Sequence, residues 1–187
     1  MGWNMRALII VIELFLLSGF IWALVCWFKN SKTVKRWELV YIKTGGIMFL
    51  IAQLSCACLS PLPSYSVSMT GILLLLSSGV LFALSLLSFR QPPGIAFADQ
   101  ISVELNTLGP YRFIRHPFYT SYSLSWIGGT MATGCWLLSI SFIMMGIIYY
   151  TAAKEEENLW LNSKNSKKYK EYMDSTGMFI IRVAEVF

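Results

Sequence analysis

The sequence predicts an all-α integral membrane protein of about five transmembrane helices. The last two form a helical hairpin, and a cytosolic C-terminal helical segment follows. Three observations lead there. Hydrophobic residues make up 56% of the 187 and charged residues only 13%, against roughly a quarter charged in soluble domains. Apolar runs of about 20 residues, the length of a membrane-crossing helix, recur along the chain. The cations gather in short groups beside those runs.

Ala7 to Phe28 is an apolar run of about 22 residues, enough to cross the roughly 30 Å hydrocarbon layer. A cleavable signal peptide would show a shorter core and a small-residue cleavage site. Leu39 to Leu59 and Met69 to Phe89 are the next two spans, joined by the turn-forming SPLPSYSVS of Ser60 to Ser68. As one helix, Tyr119 to Tyr150 would measure about 48 Å, too long for a single perpendicular crossing. Gly128, Gly129 and Gly134, flanking Thr130 and Thr133, place a tight bend near its middle. Small residues there let two short or tilted helices approach closely.

Charge sets the orientation. Lys29, Lys32, Lys35 and Arg36 follow the first span. Arg90, Arg112 and Arg115 follow the third, and Lys154, Lys164, Lys167, Lys168 and Lys170 follow the hairpin. Only a returning hairpin brings all three groups to one side, which the positive-inside rule makes the cytoplasm. A single long fourth span, the alternative, would export the basic tail. The chain therefore reads as one membrane-embedded domain, 1–187, with its N-terminus outside. It comprises three spans (1–89), a cytosolic connection (90–118) opening on QPPG, the hairpin (119–150) and a cytosolic tail (151–187). The KEEENLWL and KKYKEYM stretches of that tail read as an amphipathic surface helix. This multi-pass layout suits a prokaryotic inner membrane or the endoplasmic reticulum, and leaves the oligomeric state open.

Several function classes drop out. The net charge of +5 forms no basic stripe or basic helix, so no nucleic-acid partner is expected. Cys26, Cys56, Cys58 and Cys135 lie inside apolar runs with no His or acid at metal-ligand spacing. Buried free thiols are expected, with no metal site and no disulfide framework. Glu13, near the outer end of the first span, is expected to snorkel or to pair with Arg6, and Lys43 to do likewise at the inner end of the second. Gln53, Ser55 and Ser60 read as helix–helix hydrogen-bonding groups, with tunnel lining as the alternative.

The polar chemistry concentrates in GPYRFIRHPFY, Gly109 to Tyr119, which holds the only histidine of the chain. Pro117 suits the first turn of a helix, where a missing amide hydrogen is no loss. Arg115 and His116 then stand just ahead of a helix N-terminus, whose free amides attract an anionic group. Tyr111, Phe113, Phe118 and Tyr119 offer flat apolar surface for a ring. A basic, aromatic interfacial anchor would have the same composition. Because a hairpin goes out and comes back, Glu155, Glu156 and Glu157 emerge beside this segment. A solvated helix face is the other reading of that acidic run.

The order of these residues carries more than their composition. Thr107-x-Gly109-Pro110-Tyr111, then Arg115-His116-Pro117-x-Tyr119, resembles the signature of the isoprenylcysteine carboxyl methyltransferase and phospholipid methyltransferase superfamily. The acidic run after the hairpin, the pair Tyr169 and Tyr172, and TGMFI from Thr176 to Ile180 follow in that family's order. The resemblance covers roughly Leu105 to Ile180; the first three spans match in hydropathy alone.

The resemblance implies a cytosolic-face pocket for S-adenosyl-L-methionine and a lipid-like substrate entering from the bilayer. Tyr111, Arg115, His116, Pro117, Tyr119, Glu155, Glu156 and Glu157 are its candidate cofactor-binding residues, with Arg115 and Glu156 the candidate catalytic pair. Arg115, His116 and the helix start would receive the methionyl carboxylate, a glutamate the ribose hydroxyls, and Tyr111 or Tyr119 the adenine. Counting back from Tyr169 assigns the glutamate pair to Glu157 and Asn158, whereas counting from Leu159 assigns it to Glu155 and Glu156. The acceptor expected first is the carboxylate of a prenylated cysteine or related amphipathic acid. A phospholipid ethanolamine is the alternative, and a non-catalytic protein or a reductase sharing the fold is a further one.

Overall fold

The computed structural model describes residues 2–23, 26, 48, 51–89 and 105–182. The end of the first expected span, most of the second, Lys29, Lys32, Lys35, Arg36, Lys43, Arg90 and the QPPG turn lie outside the described residues. The elements are α1 (Gly2–Trp22), α2 (helical residues 51–59), α3 (Tyr65–Leu87), a 3-10 turn at Gly109–Arg112, α4 (Pro117–Thr133), α5 (Leu138–Leu161) and α6 (Ser166–Ser175). Among the described residues there is no β-strand; one isolated parallel bridge joins Ile114 to Gly177.

Beside an apolar core of Ile9, Leu16, Ile72 and Leu75, many polar side chains are buried and many apolar ones face outward. Glu13, Gln53, Ser68, Ser78, Ser85, Ser121, Thr133 and Ser141 are buried, while Phe15, Leu73, Val80, Ile143 and Ile147 are exposed. Apolar surface of that extent needs lipid, and polar groups within such a bundle serve to join helices. Among the described residues, Trp3–Trp22 and Tyr65–Leu87 are the two helices long and apolar enough to cross a bilayer. With 17 residues, α4 covers about 26 Å. The apolar part of α5 ends near Tyr150, and Thr151 to Leu161 continue the same helix as a polar extension. The protein is a membrane protein.

Contacts fix the helix directions. Ser68 Oγ donates to the Ala132 carbonyl at 3.3 Å and Ser78 Oγ to the Ser121 carbonyl at 2.7 Å, so α3 and α4 run antiparallel. Between those bonds the backbones nearly touch. A Cβ on Gly71 would lie 2.6 Å from the Gly128 carbonyl oxygen, and one on Gly128 would lie 2.9 Å from that of Gly71. Arg6, on α1, donates to the carbonyls of Ala57 (2.6 Å), Cys58 (3.2 Å) and Ser60 (2.7 Å), satisfying acceptors that the end of α2 leaves unpaired. Phe20 meets Phe82 and Tyr122 edge-on, each with ring centroids 4.8 Å apart. From α1 to α5 the helices therefore alternate in direction. One end of the bundle gathers the starts of α1, α3 and α5; the other gathers the start of α4 and the last turns of α5.

Three local expectations change. Of the three glycines expected at the hairpin bend, Gly134 makes it, while Gly128 and Gly129 lie within α4. Gly134 has a φ of 69° and its amide closes α4 on the Thr130 carbonyl at 3.0 Å, a left-handed cap for which glycine is suited. The paired glycines stay helical because their lack of side chains is used sideways. Gly128 admits the α3 backbone, and a Cβ on Gly129 would overlap the Gln53 amide. Glu13 does not pair with Arg6, which is committed to α2; it is buried toward Gln53 and Gly129. The acidic KEEENLWL stretch belongs to α5, and the lysine-rich stretch forms the separate α6.

Candidate active site

The segment between the 3-10 turn and α4 is anchored at both ends. Gly109 has a φ of 56°, and any side chain there would collide with the Ser88 hydroxyl at the end of α3. This is a left-handed, crowded position that requires glycine. Beyond the turn, the chain is held by the tail that follows α6. Gly177 N donates to the Phe113 carbonyl (3.2 Å), Arg115 N to the Gly177 carbonyl (2.8 Å) and His116 N to the Met178 carbonyl (3.1 Å). Thr120 Oγ1 adds a bond to the Phe179 carbonyl at 3.0 Å, and Tyr172 donates its hydroxyl to the Tyr111 carbonyl at 2.7 Å.

Pro117, buried, opens α4 with its ring in place of an amide hydrogen. The antiparallel return of α5 then sets Glu156 and Glu157 against this corner. On α5 the buried positions Ser141, Met145, Tyr149, Ala153 and Glu157 recur every four residues, one face of the helix. Glu157 is the last of them and 1% exposed.

Arg115 Nε donates to Glu157 Oε1 at 2.7 Å. One terminal nitrogen of the same guanidinium meets the carbonyls of Met173 and Thr176. His116 lies between two acids, with Nε2 3.3 Å from Glu157 Oε1 and Nδ1 3.5 Å from Glu156 Oε2. Tyr119 donates its hydroxyl to Glu156 Oε1 at 2.6 Å and stacks on Tyr149 with ring centroids 5.4 Å apart.

The charges follow from this arrangement. Burial alone would favour a neutral His116, but the hydrogen bonds and charges of Glu156 and Glu157 outweigh it and raise its pKa. Both ring nitrogens can donate to the two carboxylates only as imidazolium. Burial pushes Glu157 the other way, yet His116 and Arg115 together pull its pKa down to about 2. Its Oε2 is buried without a hydrogen-bond partner, and the Lys154 ammonium stands 3.8 Å away.

The corner therefore unites Arg115, His116, Pro117, Tyr119, Glu156 and Glu157. Glu155, next in sequence, is exposed on another face of α5. Neither sequence count for the glutamate pair gave this combination. Tyr111 turns its ring into an aromatic cluster with Phe89 and Phe118, at 5.4 and 6.5 Å. Its carbonyl, rather than its ring, joins the network. Two contributors were missed, Tyr149 and the Met173 carbonyl; Phe179, within the TGMFI segment already singled out, had no assigned role, and its ring centroid lies 5.9 Å from that of His116. Tyr149 was findable as the residue two turns before Glu157 on the same face. The backbone acceptor had no signal in side-chain chemistry.

The corner thus combines a buried carboxylate oxygen that accepts no hydrogen bond, an aromatic wall and a helix start. No curated protein matches the chain. Residues 65–168 match the model of a family described as phospholipid methyltransferase. The match opens at Tyr65 and so takes in α3 as well as the motif, the hairpin and the acidic run. The chain belongs to the phospholipid methyltransferase family, S-adenosylmethionine-dependent membrane enzymes that act on lipid-like substrates.

Proposed function

We propose that the chain is a five-span membrane enzyme that methylates the amine of an ethanolamine phospholipid at the cytosolic face. The carrying observation is how Arg115 is used. Its Nε and one terminal nitrogen are taken by Glu157 and two backbone carbonyls, so it does not offer a substrate carboxylate the two parallel bonds of a bidentate grip. The more open of the two glutamates is Glu156, whose side chain is 29% exposed against 1% for Glu157. A carboxylate there attracts an ammonium and repels an acid. For this reason we favour a phospholipid amine over the prenylcysteine carboxylate that the sequence put first.

When bound, S-adenosylmethionine supplies a methyl carbon made electrophilic by its sulfonium. The residues present fit it. Glu157 Oε2, buried and accepting no hydrogen bond, is an acceptor for a ribose hydroxyl, and the start of α4 a seat for the methionyl carboxylate. Tyr119 and its stacked partner Tyr149 give aromatic surface toward a cation or ring. An ammonium must lose its proton before nitrogen can act as a nucleophile, and Glu156 is the group we assign to receive it. Arg115 is a positioning residue that joins Glu157 to the tail. Burial of the corner excludes water and strengthens each of these interactions.

The test is transfer of labelled methyl from S-adenosylmethionine by detergent-purified enzyme, offered phosphatidylethanolamine vesicles or a prenylcysteine analogue. Label in phosphatidylethanolamine with none in the analogue is expected. Label in the analogue alone would return the acceptor to a carboxylate. Folded protein that shows no heat with S-adenosylhomocysteine in calorimetry would reject the cofactor role.

A further inference from the structure

At the end of the bundle remote from the site, Cys56 on α2 and Cys135 in the α4–α5 turn bring their Sγ atoms to 2.6 Å across a separation of 79 residues. Both are half-buried free thiols. That spacing is closer than non-bonded sulfurs rest and within ~0.6 Å of the covalent length of about 2.05 Å. We propose that Cys56 and Cys135 are joined by a disulfide in the mature protein.

The surroundings prepare the pair. Gly134, fixed in its left-handed cap, aims the next residue back at α2, and the Cys135 amide is held toward Thr133 Oγ1 at 3.4 Å. On the other side, Arg6 grips the carbonyls of Ala57 and Cys58 and so holds the end of α2 beside the turn. Cys58 and Cys26 are exposed, and neither shares this geometry. The location also matters. The turn sits at the opposite end of α4 from His116, with 17 helical residues between, about 26 Å away. If the basic tail faces the cytoplasm, the cysteines face the outer compartment, where disulfides form and persist.

The chemistry balances with a disulfide donor of that compartment, small molecule or protein, as oxidant. Cys56 loses its proton and its thiolate attacks the donor, expelling one donor thiolate. The Cys135 thiolate then attacks Cys56 Sγ, forming the bond between the two cysteines and releasing the second donor thiolate. Two electrons and two protons pass to the donor.

Membranes would be quenched with N-ethylmaleimide without reductant, then denatured, reduced and treated with heavy-isotope N-ethylmaleimide before peptide mapping. Heavy label on Cys56 and Cys135, with light label on Cys26 and Cys58, is expected. Light label on Cys56 and Cys135 overturns the proposal. In Cys135→Ser, Cys56 should change to light label; continued heavy label there would mean another partner and would also overturn it. The thermal midpoint of purified wild type should fall on reduction, while that of the Cys56→Ser, Cys135→Ser double variant stays put. An equal response of both also counts against the bond.

Discussion

Arg115 and Glu157 stand 42 residues apart in sequence, yet a 2.7 Å bond joins them across the corner where α4 begins and α5 ends. Both are nearly withdrawn from solvent, with side chains 10% and 1% exposed. Removing one partner strands the other's charge in a low-dielectric place, which costs about 3–5 kcal/mol for such pairs. Arg115→Met should therefore lower thermal stability in detergent by an amount of that order. The double variant Arg115→Met, Glu157→Leu should lose much less. A double-variant loss equal to the sum of the losses in Arg115→Met and Glu157→Leu alone would show that the pair carries no coupling.

The pH profile of stability should have two arms. Glu157 titrates near 2 when folded against an ordinary value of 4.5. It binds fewer protons folded than unfolded, so its contribution is present above pH 4.5 and is lost as pH falls toward 2. That contribution is on the order of 3 kcal/mol. His116 runs the other way. Its folded pKa is raised above 6.5, so its contribution is complete below that value and fades as pH climbs through the raised one. The gap in thermal midpoint between wild type and His116→Gln should shrink from pH 6 to pH 9. A constant gap would remove the charged imidazole from the account.

Closing of the site depends on the tail. A side chain at Gly177 would collide with the Ile180 carbonyl and displace the segment that Arg115 and His116 bond through their amides. Gly177→Val should reduce S-adenosylhomocysteine affinity at least tenfold, read by calorimetry, with helical circular dichroism unchanged. Unaltered affinity would make the tail a bystander.

Close packing of α3 on α4 sets a separate limit. Gly71→Ala places a methyl group against the Gly128 carbonyl, and overpacking of that kind costs typically 1–3 kcal/mol. The variant should unfold at lower temperature than wild type. A midpoint at or above wild type would mean that the two helices separate freely.

Much of this was readable in advance, for identifiable reasons. Hydropathy located α3 to within four residues at its start. The alternation of charge implied the returning hairpin that brings Arg115 and His116 to the glutamates. Other features depend on contacts that a linear pattern does not carry. The bend could be assigned to any of three glycines, because only the packing of Gly71 against Gly128 distinguishes an interface glycine from a cap. Which glutamates face inward depends on the phase of α5, set by the buried stripe from Ser141 to Ala153 rather than by counting from a motif. Arg6 was expected near Glu13 from proximity along one helix. Three unpaired carbonyls at the end of α2 proved the stronger attraction.

One continuous rod, α5, reaches from the remote turn at Leu138 to the last acids at Glu156 and Glu157. Bilayer thickness alters the tilt of such a rod, and a stiff helix passes that lean to its far tip. Acyl-chain length of the surrounding lipid then becomes a dial on how tightly Glu157 seats against Arg115. Turnover in vesicles graded from thin to thick should pass through a maximum rather than stay level.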